Sequence, residues 1–253
     1  MILLLGARLL LNPEQANSWW PWTISPYDAG FLGVFSLAEF SVILVFLVVT
    51  CWVPGRLVIP SWFTFTALVA IASLLNHDQF ILDRQETRIW FGMYLSSPPL
   101  AAWFLWRYRR MPPADPAKLS RTWQHYLQVQ AGLMGLFGIG LFIFPSVFGA
   151  AWPWSIAGLT GQVYAAMFLT SAVGAAILLR AAASVEVKAY ALPQVILGWG
   201  AIAALVTVDT ALQSAGEATI NWGAPGTWAW AVGLYILGAS GTLLLVSRST
   251  HAR

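Results

Sequence analysis

Trp20-Pro21-Trp22, with Pro13 seven residues upstream, returns as Trp152-Pro153-Trp154 with Pro145 seven residues upstream, and a shift of 132 residues superposes the two stretches. Without a gap, the same shift pairs Leu4 with Leu136, Gly6 with Gly138, Leu9 with Leu141, Ile24 with Ile156, Leu37 with Leu169 and Arg56 with Lys188. So many matches at one fixed offset mark an internal duplication.

Composition says where the duplicated unit resides. Of 253 residues, 58% are hydrophobic and only 9% charged, whereas soluble proteins carry about 25% charged residues. Mean hydropathy is +0.70. A chain with so little charge turns its surface to lipid, so the sequence reads as an all-α integral membrane protein. The net charge of +3 does not indicate nucleic acid, because the basic residues sit in short loops between apolar spans. The single cysteine, Cys51, excludes an intrachain disulfide and any Cys-x-x-Cys site.

About eight transmembrane helices follow from the apolar runs. Met1 to Leu11 is half the roughly 20 residues needed to span hydrocarbon. Its counterpart Leu133 to Ile143 is the second half of a longer segment, so the first helix is either a half-span or the remainder of one that starts further upstream. Ser25-Pro26-Tyr27-Asp28 starts the second helix, with a cap, a first-turn proline and a first-turn acid; this helix runs to about Trp52. The third runs from about Leu57 to Leu75. Asp83 and Glu86 suggest a capping box for the fourth, about Thr87 to Tyr108, whose Pro98-Pro99 should kink it. The second half repeats the plan with helices from about Lys118 to Phe144, Leu159 to Ala182, Val187 to Leu212 and Gly226 to Val246.

The expected organisation is a parallel 4+4 repeat: residues 1–110, a proline-rich cytoplasmic linker at 111–117, and residues 118–253. An even number of spans per repeat makes both halves enter from the same side. With both termini cytoplasmic, ten of the thirteen Lys and Arg fall inside, and only Arg84 and Arg88 lie in outer loops. That asymmetry predicts a multi-pass protein of the cell inner (plasma) membrane. It also puts both Trp-Pro-Trp connections outside, where Trp20, Trp22, Trp152 and Trp154 read as interface anchors of an aromatic belt.

Few groups are available for chemistry. Glu39 falls mid-way along the second helix, where a carboxylate is costly and is a functional candidate by default; its repeat counterpart is Ser171. Arg8, about one turn below the outer surface, either snorkels outward or reaches toward Glu39, which lies about 18 Å below the start of its helix. Asp209 lies near the outer end of the seventh span and His77-Asp78 at the outer end of the third. Neither pair-wise spacing nor residue type makes a metal site. His125 and His251 have no partners by spacing, and the sequence contains no phosphate-loop, nucleophile-elbow or zincin motif, so no cofactor is expected. The expected partners are membrane lipids and other membrane-protein subunits.

Trp-Pro-Trp-Thr-Ile-Ser-Pro at Trp20 to Pro26, Asn-His-Asp-x-Phe at Asn76 to Phe80 and Trp-Phe-x-x-Tyr-x-x-x-Pro-Pro from Trp90 together resemble an uncharacterised family of bacterial polytopic membrane proteins. In that family the segment after Trp-Pro-Trp commonly reads Leu-Thr-Pro-Leu. The second repeat departs from it at Ile156-Ala157-Gly158-Leu159, and the resemblance implies no activity. Three functions are therefore expected in descending order. They are a non-catalytic accessory or scaffold subunit of a larger complex, a transporter or lipophilic-ligand binder with a site between the repeats near Glu39, and a lipid-modifying enzyme using a polar surface cluster.

Overall fold

The computed structural model describes residues 2–49, 55–110, 116–217, 219–247 and 250–251. Helices dominate: α1 (Ile2–Leu11), α2 (Pro26–Val48), α3 (Gly55–Leu75), α4 (Gln85–Tyr108), α5 (Arg121–Ile143), the short α6 (Pro145–Gly149), α7 (Gly158–Arg180), α8 (Ser184–Ser214) and α9 (Pro225–Val246). Six of them, α2, α3, α5, α7, α8 and α9, are long and apolar enough to cross a membrane. α1 is apolar but has ten residues. α4 has 24 residues and interrupts its apolar run with Glu86, Arg88, Ser96, Ser97 and Arg107, so it is less apolar than the six. The fold is thus that of an all-α, multi-pass membrane protein. Its lipid-type surface is plain on α5, where Leu133, Leu136, Ile139 and Ile143 are all exposed.

α2 begins as its sequence demands. Ser25 Oγ accepts from Asp28 N (3.1 Å) while Ser25 N donates to Asp28 Oδ2 (3.0 Å), and Pro26 needs no donor partner at the first helical position. The predicted box at the head of α4 does not form. Arg84, not Asp83, is the residue that precedes α4, and no side chain caps it. Tertiary bonds set the chain there instead: Ile81 N donates to Pro21 O at 2.8 Å, and the Arg84 guanidinium donates to Trp20 O. α2 stops at Val48, with Val49 in an extended conformation, short of the expected end near Trp52; Cys51 and the linker residues 111–115 lie outside the described residues.

Helix pairing gives two rows. α1 packs on α2, α2 on α8 and α8 on α9; α5 packs on α7, α7 on α3 and α3 on α4. The closest approaches use glycine, because only a missing side chain lets backbones meet. A Cβ on Gly198 of α8 would lie 2.3 Å from Gly238 N of α9. A Cβ on Gly6 of α1 would meet Gly33 O of α2 at 2.9 Å and Leu37, and one on Gly138 of α5 would meet Leu169 at 2.8 Å and Ala165 O of α7. Three strand fragments, Pro116–Lys118, Ala182–Ala183 and Thr250–His251, pair at one end of the bundle. Near them Arg56 Nε sits 3.6 Å from Glu186 Oε1, and its Nη2 donates to Ala181 O. The Trp-Pro-Trp connections close the opposite end.

Candidate functional site

At that opposite end the two connections lock onto each other's halves. Trp22 Nε1 donates to Thr160 Oγ1 at 3.0 Å, and Trp154 Nε1 donates to Asp28 Oδ1 at 2.8 Å. The same 132-residue shift takes Trp22 onto Trp154 and Asp28 onto Thr160. Tyr164 adds a second donor to Asp28 Oδ1 at 2.8 Å, while Ser25 holds Oδ2. Trp22 is 1% exposed and Asp28 3%. A buried carboxylate needs such a full set of donors.

This corrects the expected role of the four interface anchors. Trp20, Trp22, Trp152 and Trp154 are buried in one aromatic cluster with Phe31, Trp90 and Tyr164, not set at a lipid boundary. Trp103, Trp106 and Trp228 are the exposed indoles that suit a belt. Trp20 and Trp152, counterparts in the repeat, each keep a buried indole N–H without a partner among the described residues.

Below the cluster lies a cavity of about 980 Å³, large for a single small ligand and walled by both halves. Its wall is overwhelmingly apolar and aromatic. Many lining residues are counterparts under the same shift, among them Phe35 with Met167 and Trp62 with Gln194. Glu39 is half-buried on this wall, opposite in plan to its counterpart Ser171, which also lines it. No hydrogen bond or ion pair reaches the Glu39 carboxylate among the described residues, where the ion pair is Arg56 with Glu186. Arg8 lines the cavity as well, but its guanidinium sits 4.1 Å from the Trp19 ring centroid and makes no ion pair with Glu39.

On the wall's other side, α5 and α8 contribute an amide pair. Gln130 Nε2 donates to Gln194 Oε1 at 3.1 Å. Tyr190 donates to Ser171 O at 3.0 Å. Neither the amide pair nor the Asp28 lock is a candidate from the sequence, which shows Asp28 as a first-turn acid. The available signal is a side-chain acceptor six residues after the second tryptophan of each Trp-Pro-Trp.

The remaining candidates stay apart. Asp209 accepts from Tyr27 Oη (2.6 Å), Ile220 N (2.8 Å) and Trp222 Nε1 (2.7 Å), and so fastens α2 and the α8–α9 connection. His77 and Asp78 lie exposed in a 3-10 turn, His77–Gln79, and no hydrogen bond or ion pair joins them to Asp209 among the described residues. Among the described residues no three His, Cys, Asp or Glu side chains gather as metal ligands. No protein-family model, curated protein or solved structure matches the chain.

Proposed function

We propose that this protein is a parallel 4+4 pseudo-symmetric membrane protein that binds, and by extension moves, a lipophilic ligand in the cavity between its halves. One observation carries the reading: a mid-helix carboxylate, Glu39, on the wall of a cavity of about 980 Å³ shared by both repeats, with no partner of its own. An intramembrane ionisable group without an internal partner is most economically explained by an occupant.

The repeat is supported by packing that obeys the shift. The α1–α2 pair corresponds to α5–α7, α3–α4 to α8–α9, and α2–α8 to α7–α3. The glycine crossings correspond too, since Gly33 and Leu37 map onto Ala165 and Leu169. The distribution of Lys and Arg supports cytoplasmic termini in a plasma membrane. The close glycine crossings, Gly198 against Gly238 and Gly6 against Gly33, are used within the chain, which favours a binder over a scaffold.

The test is to extract the protein in mild detergent, recover bound lipophiles and weigh them by mass spectrometry. A species present in stoichiometric amount with the wild type and reduced in Met167→Trp, which pushes a larger ring into the cavity, is the expected result. Equal recovery from both proteins removes the cavity from the function.

A further inference from the structure

Among the described residues, three charged side chains line the cavity: Arg8, Glu39 and Glu86. Arg8 already has a seat, stacked over Trp19. Glu86 belongs to the first turn of α4, next to the outer connections. Glu39 stands mid-way along α2, one turn from Phe35 and close enough to Tyr94 to act on it electrostatically, on a wall that Trp62 and Phe65 also line. Those rings are close-set, with Phe35 and Phe65 centroids 5.2 Å apart and Phe65 and Tyr94 6.1 Å apart.

This combination has a definite chemical meaning. An ionised carboxylate in apolar surroundings is costly unless a counter-charge joins it, and ring faces stabilise cations by their quadrupole. A carboxylate fenced by rings therefore favours a cation whose remaining surface is apolar. The second repeat offers no equivalent charge, because Ser171 occupies the matching position on the wall. Glu86 lies at the head of α4 and Glu39 mid-way along α2, so Glu39 is the acid set within the length of its helix, and it marks a place for one positive charge.

We infer that the cavity selects a lipophilic monocation, an amine or quaternary onium with an apolar body, and seats its charge at Glu39 with one cation per chain. The inference rests on the cavity-binding reading above and narrows it to a ligand class.

The experiment uses the full chain in phosphatidylcholine nanodiscs and three probes of similar bulk. They are tetraphenylphosphonium, triphenylphosphine oxide and tetraphenylborate, which are cationic, neutral and anionic. Binding is measured by equilibrium dialysis, with the uptake of empty nanodiscs subtracted. The expected result is saturable binding of one phosphonium per chain, weakened on the order of tenfold or more by Glu39→Gln, a factor equal to about 1.4 kcal/mol. Glu39→Asp, which restores the charge, recovers most of that loss, and neutral-probe binding shifts less than about twofold.

Saturable binding of the neutral or anionic probe that ignores Glu39→Gln, with no preference for phosphonium, overturns the cation assignment and leaves the cavity reading intact. No saturable binding of any probe overturns both. Elution of Glu39→Gln as a monodisperse peak at the wild-type position shows that a loss of binding is not a loss of fold. Should that variant aggregate, Ser171→Lys places a competing cation on the wall and must weaken phosphonium binding while sparing the phosphine oxide; equal weakening of both overturns the assignment.

Discussion

Asp28 and Thr160 hold the same place in the two halves and serve the same purpose, each accepting the indole N–H of the other half's second Trp-Pro-Trp tryptophan. Asp28 carries more, because Tyr164 and Ser25 also bond to it. Removing an acceptor that leaves buried donors unsatisfied costs about 1–3 kcal/mol for each. Asp28→Ala is therefore expected to lower the unfolding temperature in detergent markedly. Asp28→Thr, which copies the other half's solution, should restore the Trp154 bond and lose less. Equal destabilisation by both variants would show that the hydroxyl cannot stand in and that the two locks are not equivalent. The sequence makes Asp28 legible as a helix-start acid, and the capping box confirms it. Its second role was hidden because the partners lie 126 and 136 residues away.

Helices were the most legible level, and for a simple reason. Apolar runs of about 20 residues ended by Pro, Gly or charged residues can do little else in lipid; of the eight expected helices, six, α2, α3, α5, α7, α8 and α9, are long and apolar enough to span, while α1 has ten residues and α4 is more polar. Local signals failed where tertiary contacts decide. The Asp83–Glu86 box lost to the bonds that tie Ile81 and Arg84 to the Trp-Pro stretch. Tryptophans near helix ends suit both a lipid boundary and a buried end-plug, and only the partner helices distinguish the two. At this scale the glycines give a sharp prediction. Gly198→Ala forces a Cβ to within 2.3 Å of the α9 backbone, and overpacking of this kind costs about 1–3 kcal/mol. Gly132→Ala meets nothing within 4 Å and gains up to about 1 kcal/mol of helix propensity. Thermal unfolding of the two variants should move in opposite directions, and a parallel drop would mean that the α8–α9 crossing is not the constraint.

For the whole molecule, the decisive feature is that the halves exchange partners. α2 of residues 1–110 lies on α8 of residues 118–253, and α7 of the latter on α3 of the former, so each half of the chain alone exposes the faces that the other covers. The single large core cluster mixes Trp20, Trp22 and Phe31 with Trp152, Trp154 and Tyr164. The duplication is legible in the sequence, but this exchange is not, because a fixed offset reports equivalence of positions and says nothing about which equivalent helix a given helix packs against. It leads to a test by splitting. Residues 1–110 and 118–253 expressed separately should each be degraded or recovered as aggregate, because α2 and α3 lose their largest partners and α7 and α8 their second largest. Expressed together in one membrane, the halves should co-purify through a tag on either one and regain ligand binding. Asp28→Ala in the first half should weaken that recovery, since it removes the acceptor for Trp154 of the second. If residues 1–110 instead purify alone as a stable, monodisperse protein, the two halves are independent bundles, and a cavity formed between them loses its structural basis.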